Sequence, residues 1–513
     1  MNQIDKKFSS QQELNLWAVY GICLLISTVF FLLFGFNSPI YTFNSDHDFQ
    51  WYMTVGNSLT KGKIPYRDIF EHKGPLVYFV FAFACLFANP GILILILEII
   101  CMSLFFFFTY RICKKRLNTF YSLIAIPLLA FAIFTSWCRI RSAAIVEEFA
   151  LPIYAYFLLC WLEFLTEKKH WNWVRALCLG LCFGVLLWVK YTLFYFMLVP
   201  MIVWFILSLR RRQYRTLMIN VLCIIAGVLI ITAPILFFYA LHHAIDDLFY
   251  VYFYINLTAY GASNLQSILS AAGLFFIIGP ALVILIILGV ISFSIKYWRE
   301  QTGWLLLISF IINFILLTYS ANTIAYYYSG LIPYCILGII SILEHINTKL
   351  TLQRYRKLIF ITLVILCIGI TIPFSILTYE WGRNKNEYTP LAIAEVIKNH
   401  QISEQKQCTL FCYKIYDFGF YNATNILPNN YFFVNSAFDE NRFPKMYESF
   451  RASITNQTSD FVITHLSTWN NEKSFLSQYY RPYTNHAETS TYTYDKVKYY
   501  SRKTYKFILL IKK

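Results

Sequence analysis

Ionisable side chains of both signs are concentrated in residues 44–79, which read NSDHDFQWYMTVGNSLTKGKIPYRDIFEHKGPLVYF. The acids include Asp46 and Asp48 and the cations include Lys73, whereas the sequence on either side is almost free of charge. A positioned carboxylate can take a proton from a hydroxyl nucleophile, and an ammonium can stabilise negative charge on a leaving group. These residue types indicate acid–base chemistry combined with anion binding.

The sequence HKGP places Lys73 directly before Gly74 and Pro75. Proline is favoured as the first residue of a helix, where the backbone N–H groups lack partners inside the helix. An ammonium beside such a helix start would form an anion-binding site. A solvated loop with ordinary surface ion pairs is the alternative interpretation of the same charge density.

A second cluster of cations and acids lies in RIRSAAIVEEF, which contains Arg139, Arg141, Glu147 and Glu148. Lys190, in LLWVKYTLFYF, stands alone between two apolar runs, at the predicted turn of a helical hairpin. Basic side chains at the end of an apolar run often extend to the aqueous interface, so snorkelling is the alternative to phosphate binding. The repeated combination of carboxylates with cations favours one polar pocket built from two loops.

Two further segments carry weaker signals. His243 and Asp247 have the i, i+4 spacing that can share a metal ion on a helix, but two ligands are too few to predict a metal site. Tyr326 and Tyr327, in NTIAYYYSG, lie at the end of an apolar run. Tyrosines in that position either anchor the chain at the membrane interface or stack on a substrate.

The elements that position these residues are apolar, since 58% of the 513 residues are hydrophobic and 14% are charged. This composition lies outside the range of soluble domains and indicates an integral membrane protein. Runs of about 17 to 25 apolar residues can cross a hydrocarbon core of about 30 Å as helices. We predict about eleven crossings, at 16–35, 91–110, 119–138, 149–165, 174–189, 191–209, 217–240, 270–295, 303–318, 328–343 and 357–378.

Lys and Arg residues decide the predicted orientation. They are absent from 241–269 and 319–327, and they cluster in alternate loops, at 111–116, 168–169, 210–215, 296–299 and 349–357. Cytoplasmic loops carry such an excess, so we predict a cytoplasmic N terminus and an extracytoplasmic tail. The formal net charge of +16 therefore reflects topology, and no nucleic-acid partner is predicted.

Residues 1–380 form the predicted membrane domain, with a first outer loop at 36–74. Residues 75–88 are apolar, but a crossing there would invert every later loop and violate the charge pattern. We therefore predict an interfacial or re-entrant helix at 75–88, which Asn89-Pro90-Gly91 separates from the next span.

Residues 381–513 are polar and contain no apolar run of spanning length. We predict that they form a small extracytoplasmic α/β domain. A helix is predicted at 391–400, and strands are predicted in CTLFCY, YFFVN, DFVITHL and KFILLI.

The first outer loop resembles that of the GT-C glycosyltransferases. The shared features are an acid near the end of the first span, an aromatic helix, the segment GKIPYRD, and HKGP before an apolar helix. The similarity is to the branch that contains protein O-mannosyltransferases, lipid A aminoarabinose transferases and bacterial surface-polysaccharide glycosyltransferases. It extends more loosely over 139–195, through VEEF and WVKYT, and beyond residue 200 it covers only the general layout.

The resemblance implies a transferase that moves a sugar from a polyprenyl-phosphate donor to an acceptor hydroxyl on the outer face of the membrane. Asp46 matches the acid that activates the acceptor, with Asp48 as the second candidate, and Lys73 matches the residue that holds the donor phosphate. Either Glu147 or Glu148 matches a second acidic site. Supporting roles are expected for the cations Arg67, Arg139, Arg141 and Lys190 and for Glu71, His72, Tyr326 and Tyr327.

A single displacement at the anomeric carbon would invert its configuration, and this chemistry requires no cofactor, although Mg²⁺ or Mn²⁺ is compatible with it. The expected partners are the lipid bilayer and a glycan, lipid or protein acceptor. The Asn- and Lys-rich tail favours a bacterial source. The competing classes are a glycolipid transporter or flippase, which would carry charge near mid-membrane, and a non-enzymatic subunit of polysaccharide assembly.

Overall fold

The structure is a computed structural model of the chain. It describes residues 14–138, 140, 144–166, 170–258, 265–300, 302–321, 324–349, 355–378, 388–435, 438, 440–483, 491–498 and 501–513. Arg139 and Arg141 lie outside these ranges.

Helices make up the N-terminal three quarters of the chain. Their bounds are α1 Leu16–Phe34, α2 His47–Thr60, α3 Pro75–Cys85, α4 Pro90–Cys113, α5 Thr119–Phe134, α6 Val146–Thr166, α7 Trp173–Lys190, α8 Tyr195–Arg210, α9 Tyr214–Leu241, α10 Leu265–Phe275, α11 Pro280–Lys296, α12 Thr302–Ala321, α13 Tyr334–Lys349 and α14 Arg356–Thr378. Shorter helical turns lie at Tyr191–Phe194, Ile245–Leu248, Phe249–Ile255, Asn256–Thr258, Trp298–Glu300 and Ala325–Leu331.

Several of these helices are long and apolar enough to cross a membrane. Within the described ranges there are 6 such stretches, or up to 8 if each of two bent helix pairs forms one span. The bent pairs are Ile268–Phe275 with Pro280–Lys296, at 94°, and Ala325–Leu331 with Tyr334–Ile346, at 58°. Shorter apolar helices occur at Pro75–Cys85, Thr119–Phe134 and Lys357–Pro373. The chain is thus a multi-pass helical protein, while the count of eleven stays a prediction.

Helices α7 and α8 form a hairpin whose turn carries Lys190. The rings of Trp171 and Trp204, near the opposite ends of the hairpin sequence, stack with centroids 4.6 Å apart. Beyond them, Gln213 Nε2 lies 3.3 Å from His170 Nε2. Helix α8 therefore returns alongside α7, and Lys190 lies at the far end of the hairpin.

Helix α3 is a short apolar helix, and both it and the helix that follows begin at a proline. It begins at Pro75 and has 11 residues, so it is about 16 Å long, half the thickness of a hydrocarbon core. The Asn89 side chain caps the next helix, which starts at Pro90, by accepting a bond from the Ile92 N–H group. The interfacial or re-entrant placement of α3 stays a prediction.

Small residues let helices α7 and α9 approach closely. A Cβ atom on Gly180 would lie 2.2 Å from the carbonyl oxygen of Ile224, and one on Gly227 would lie 2.5 Å from the backbone nitrogen of Leu181. Membrane helices gain packing energy through such small-residue contacts because lipid offers no hydrophobic drive for association. This contact supports the hairpin that carries Lys190.

The C-terminal residues form a mixed sheet with flanking helices. Strand β1 (Leu410–Cys412) runs parallel to β2 (Phe461–His465), and β2 pairs antiparallel with β5 (Ser501–Lys512). Strands β3 (Tyr480–Pro482) and β4 (Thr491–Lys498) also pair with β5. The helices are α15 Thr389–Glu404, α16 Phe420–Thr424, α17 Pro444–Thr455, α18 Leu466–Asn471 and α19 Lys473–Tyr479. The domain boundary at residue 380 stays a prediction.

The prediction of a strand in YFFVN, residues 431–435, is wrong. This segment is irregular, and its aromatic side chains pack against the first outer loop. The rings of Phe432 and Phe70 lie 4.7 Å apart, and the Tyr431 carbonyl accepts a bond from the Phe70 N–H group at 2.9 Å. An apolar run that covers another loop cannot be distinguished by pattern from a buried strand.

The C-terminal residues also bind helix α2. The Thr54 hydroxyl donates to Asp417 Oδ2 at 3.2 Å, and the Asn422 amide donates to the Gln50 side chain at 2.6 Å. The Tyr431 hydroxyl donates to the Tyr66 carbonyl at 2.7 Å. The sheet-containing region is therefore fixed to the loop that carries the acids and Lys73.

Asp417 should make this attachment depend on pH. Burial raises the pKa of its carboxyl from 3.8 to about 6, although the Gly419 and Phe420 N–H groups oppose the shift. A raised pKa means that the stabilising contribution is complete at low pH and is lost as pH rises toward 6. Asp417→Asn is expected to raise the free energy of unfolding near neutral pH by about 1 to 3 kcal/mol.

Thermal melting in detergent at pH values on both sides of 6 would check this expectation. Asp460→Asn is the matched control, because Lys406 and Thr409 hold the pKa of Asp460 below its ordinary value against the effect of burial. The contribution of Asp460 to the free energy of unfolding should be lost as pH falls, which is the opposite pH dependence to that of Asp417. Equal pH dependence in wild type and Asp417→Asn would contradict the prediction.

Candidate active site

Asp46 lies at the start of helix α2, where it is the N-cap residue. Its Oδ1 accepts a bond from the Asp48 N–H group at 3.0 Å, and both carboxyl groups are buried. Aspartate is favoured at this position because its side chain satisfies an N–H group that lacks an intrahelical partner. The cap therefore fixes the direction of the Asp46 side chain relative to Asp48.

A chain of side-chain amides connects Asp46 to an acid within helix α4. The Asp46 N–H group donates to Asn44 Oδ1 at 3.0 Å, and the Asn44 amide donates to Asn37 Oδ1 at 2.9 Å. The Asn37 amide in turn donates to Glu98 Oε2 at 3.0 Å. All four residues are buried, so each of these hydrogen bonds is made where water cannot replace it.

Glu98 lies beside a second buried acid, Glu148, at the start of helix α6. The two carboxyl groups interact electrostatically, and both side chains are almost fully inaccessible to solvent. Among the described residues, no hydrogen-bond partner contacts Glu98 Oε1 or either carboxylate oxygen of Glu148. The pair therefore joins the second acidic site to the chain that supports Asp46.

Glu98→Leu is expected to lower the turnover number about 10- to 100-fold, because removing the acceptor for Asn37 loosens the support of Asp46. Glu98→Gln keeps an acceptor oxygen of the same size and should stay near wild type. Steady-state kinetics with varied donor would check both. A fall in melting temperature without a change in turnover for Glu98→Leu would contradict a positioning role.

Glu71, His72 and Lys73 form a compact group before helix α3. His72 Nδ1 lies 3.1 Å from Glu71 Oε1, and Lys73 Nζ lies 3.2 Å from His72 Nε2. Glu71 Oε2 accepts bonds from the Lys73 N–H group and from the Tyr78 hydroxyl. Burial disfavours the charge on Glu71, but His72, Lys73 and the Tyr78 hydroxyl outweigh it and lower the pKa of this carboxyl to about 2.

Gly74 allows this group to approach the turn of the α7–α8 hairpin. Its N–H group donates to the Val189 carbonyl at 3.0 Å, and a Cβ atom on Gly74 would lie 2.1 Å from the Trp188 carbonyl oxygen. No larger residue fits there without displacing backbone. The contact brings Lys190 close enough to His72 for an electrostatic interaction.

Lys190 connects the cations to the second acidic site. Its ammonium donates to Glu147 Oε1 at 2.6 Å and lies 3.4 Å from the centroid of the Tyr327 ring. The ring of Tyr326 packs edge-on against Tyr327 at 5.3 Å. Lys190 is therefore held by an acid and an aromatic face, and it does not extend freely toward the interface.

The structure thus brings most of the predicted residues into one connected group. Lys190 binds Glu147 and acts electrostatically on His72, and Glu148 interacts with Glu98, which is linked through two asparagines to Asp46. These pairwise contacts link residues 36–74 to residues 146–190. The catalytic and binding roles of these residues stay predictions.

Arg67 is not brought to this group within the described structure. Its guanidinium pairs with Asp68 at 2.8 Å and donates to the His242 carbonyl at 2.7 Å, and its side chain is 39% exposed. The positive φ of Tyr66, 72°, turns the chain so that the neighbouring Arg67 lies at the surface. Arg139 and Arg141, the other predicted arginines, lie outside the described residues.

Among the described residues, no group of three or more His, Cys, Asp or Glu side chains is arranged to hold a metal ion. His243 and Asp247 are separated by a change of backbone direction, since His243 has a φ of 52° and the next helix begins at Ile245. They therefore do not share a regular helix. Participation of Mg²⁺ or Mn²⁺ stays a prediction.

A separate group of charged residues lies at the end of helix α6 that is farther from Glu147. Glu163, near the end of α6, is held by Lys115 and by Arg175, each at 2.8 Å. Glu147 lies at the other end of the same helix, about 24 Å away at 1.5 Å per residue. Glu147 and the cations Lys115 and Arg175 are therefore at opposite ends of α6.

Sequence reasoning missed three residues of the group, Asn37, Asn44 and Glu98. Glu98 is the single acid within the apolar run LILILEIICM, and this isolation was the available signal. The two asparagines sit in an ordinary loop composition, and nothing in their spacing identifies them. A fourth residue, Asn256, was also missed, although its amide donates to the His72 carbonyl at 2.7 Å.

A known protein family matches part of the chain. Residues 72–238, less than half of the chain, match the family model described as dolichyl-phosphate-mannose-protein mannosyltransferase. The matched segment begins at His72 and includes Lys73, Glu147, Glu148 and Lys190. No curated protein sequence matches the chain significantly.

Several solved structures have a similar fold over nearly the whole chain. ArnT from Cupriavidus metallidurans in the apo state is 12% identical, with a TM-score of 0.58, over 96% of this chain and 97% of that one. ArnT bound to undecaprenyl phosphate is 11% identical, with a TM-score of 0.53, over the same shares, 96% and 97%. The archaeal oligosaccharyltransferase AglB from Archaeoglobus fulgidus, in complex with an inhibitory peptide and a dolichol-phosphate, is 12% identical, with a TM-score of 0.51, over 90% of this chain and 70% of that one. These likenesses concern the fold, and together with the family-model match they confirm the predicted resemblance to the GT-C superfamily.

Proposed function

We propose that this chain, with its GT-C fold, is a membrane glycosyltransferase that takes a sugar from a polyprenyl-phosphate donor. The observation that carries the proposal is the close approach of Lys73, His72 and Lys190 beside buried carboxyl groups at one end of the helices. Converging cations suit a phosphate, and carboxylates suit an acceptor proton. The resemblance to ArnT bound to undecaprenyl phosphate supports the choice of a lipid-linked donor.

In the proposed reaction, the acceptor hydroxyl attacks the anomeric carbon while Asp46 takes its proton. The bond between the anomeric carbon and the phosphate oxygen breaks, and the electron pair leaves with the lipid phosphate. Lys73 and Lys190 stabilise the developing charge, which is where fixed cations contribute most. A single displacement inverts the anomeric configuration.

The proposed location is the extracytoplasmic face of a bacterial cell membrane. Lys115 and Arg175 lie at the opposite end of α6 from Glu147, and loops rich in such cations favour the cytoplasm, which supports this location. The lipid tail would then remain in hydrocarbon while its phosphate reaches Lys73. The acceptor is a glycan, lipid or protein of the cell surface.

Sugar release from a labelled donor tests the proposal. Purified protein in detergent is incubated with polyprenyl phosphates that carry a radiolabelled hexose or pentose, together with a membrane and cell-wall extract as acceptor. We expect label to move from the lipid fraction into acceptor or water, and we expect no movement with the Asp46→Asn, Asp48→Asn double variant. Transport of intact labelled lipid across a liposome membrane without cleavage would instead support a flippase.

A further inference from the structure

His72 lies between an acid and a cation, and these two neighbours determine which of its ring nitrogens carries the hydrogen. Lys73 Nζ lies 3.2 Å from Nε2, and an ammonium can only donate, so Nε2 is the acceptor in this arrangement. Nδ1 carries the hydrogen and lies 3.1 Å from Glu71 Oε1. The imidazole is therefore neutral here, with its basic nitrogen directed at the cation of the proposed phosphate site.

Among the residues that the structure describes, the groups that face His72 come from several elements. Glu71 and Lys73 flank it in its own loop, and Lys190 acts from the end of α7. Tyr78 of α3 reaches it through Glu71, and the Asn256 amide binds its carbonyl. From the C-terminal region, the Phe438 ring packs at 5.1 Å. Burial and the Lys73 charge lower the pKa of the imidazole below 6.5, against the effect of Glu71.

We propose that His72 takes up one proton on Nε2 when a phosphate monoester binds between Lys73 and Lys190, and so becomes a third cation of the donor site. The inference rests on the proposed function. A phosphate oxygen draws the Lys73 ammonium away from Nε2, which frees that nitrogen to accept a proton from solvent. The Glu71 carboxylate then balances the imidazolium through Nδ1, in the way that an acid orients a histidine in many active sites.

This proton would matter most at the moment when the sugar leaves. The donor is a phosphodiester with one negative charge, and cleavage of its bond to the anomeric carbon leaves a monoester with a second charge. A protonated Nε2 donates a hydrogen bond to the oxygen that receives the electron pair. His72 would thus stabilise the product phosphate more than the donor, which favours the transition state.

Because binding takes up a proton, the affinity for phosphate monoester should depend on pH in a defined direction. Below the pKa of free His72, which lies under 6.5, the imidazole already carries its proton and binding takes up none. Between this pKa and the higher value in the complex, the affinity for phosphate monoester falls by about tenfold for each rise of one pH unit. Above the higher value the affinity no longer changes through this group.

Calorimetry of lipid-phosphate binding measures the uptake directly. A short-chain polyprenyl phosphate is titrated into the full-length protein in detergent, in two buffers with different ionisation enthalpies, across about pH 7 to 8. This range lies above the second pKa of a phosphate monoester, about 6, so the ligand is already mostly a dianion and loses little proton on binding. We expect uptake approaching one proton per bound phosphate, and clearly less with the methyl ester of the same lipid phosphate, which has a single charge. His72→Gln should abolish the uptake, and Glu71→Gln should move it to lower pH.

His170→Gln, at an exposed histidine outside the site, is the matched control and should leave the uptake unchanged. Binding of the monoester by wild type without proton uptake, or full uptake by His72→Gln, would overturn the role of His72 and leave the proposed function standing. Absence of binding to wild type would overturn both. Because the wild-type monoester and methyl-ester titrations are decisive alone, the test survives if a variant does not fold.

Discussion

Asp46→Asn is expected to reduce sugar transfer by about 10²- to 10⁴-fold, the usual contribution of a positioned base. The reason is chemical and not structural, because asparagine is as good an N-cap as aspartate and can accept the same bond from the Asp48 N–H group. Amide nitrogen and oxygen lack the basicity to take the acceptor proton. Single-turnover transfer from a labelled donor measures the effect without interference from product release.

Asp48→Asn identifies which of the two acids is the base. If Asp46 fills this role, Asp48→Asn should lose much less activity, and the reverse result would exchange the two assignments. Asp68→Asn is the matched control, since Asp68 lies in the same loop but pairs with exposed Arg67. Wild-type turnover in both Asp46→Asn and Asp48→Asn would rule out a mechanism in which either carboxylate takes the acceptor proton.

Lys73→Met is expected to lower the transfer rate by about 10²- to 10³-fold, the typical loss for one donor to a developing oxyanion. Methionine keeps an unbranched apolar stem of nearly the same length and removes the ammonium group with its charge. The Lys73 backbone bonds, to Glu71 Oε2 and from the Tyr66 hydroxyl, do not depend on the side chain and should survive. Binding of a polyprenyl phosphate should weaken in parallel with the rate.

Arg67→Met provides the control for Lys73→Met. Arg67 is a cation of the same loop, but its guanidinium is exposed and already paired, so its loss should change the rate by less than about twofold. Equal losses in the two variants would mean that the loop attracts the donor by general charge. An unchanged transfer rate in Lys73→Met would show that Lys73 does not bind the donor phosphate.

Much of the arrangement followed from the sequence because its physical causes are local. The apolar runs predict helices, and HKGP predicts the start of α3 at Pro75, as observed. The hairpin with Lys190 at its turn was also predicted, since Lys190 separates two apolar runs and basic residues end the second. In each case the residues that decide the structure lie within a few positions of the element that they form.

The parts that could not be predicted depend on contacts between distant segments. The support of Asp46 by Glu98 joins residues far apart in the chain, and only the packing of α1, α2 and α4 brings them together. The separation of Arg67 from Lys73 depends on the left-handed backbone at Tyr66, a conformation that tyrosine seldom favours. The covering of Phe70 by 431–435 depends in the same way on a segment from the other end of the chain.

The attachment of α2 and the first outer loop to residues near 417–431 has a consequence for biogenesis. Thr54 and Tyr66 are made early in translation, but their partners Asp417 and Tyr431 emerge more than 360 positions later. At about 5 to 20 residues per second, this interval lasts tens of seconds. During that time the nascent polypeptide is threaded into the bilayer with its first loop uncovered. The first loop should therefore reach its final, covered conformation only after residues 417–431 have been made, and chains that stop before them should leave it uncovered.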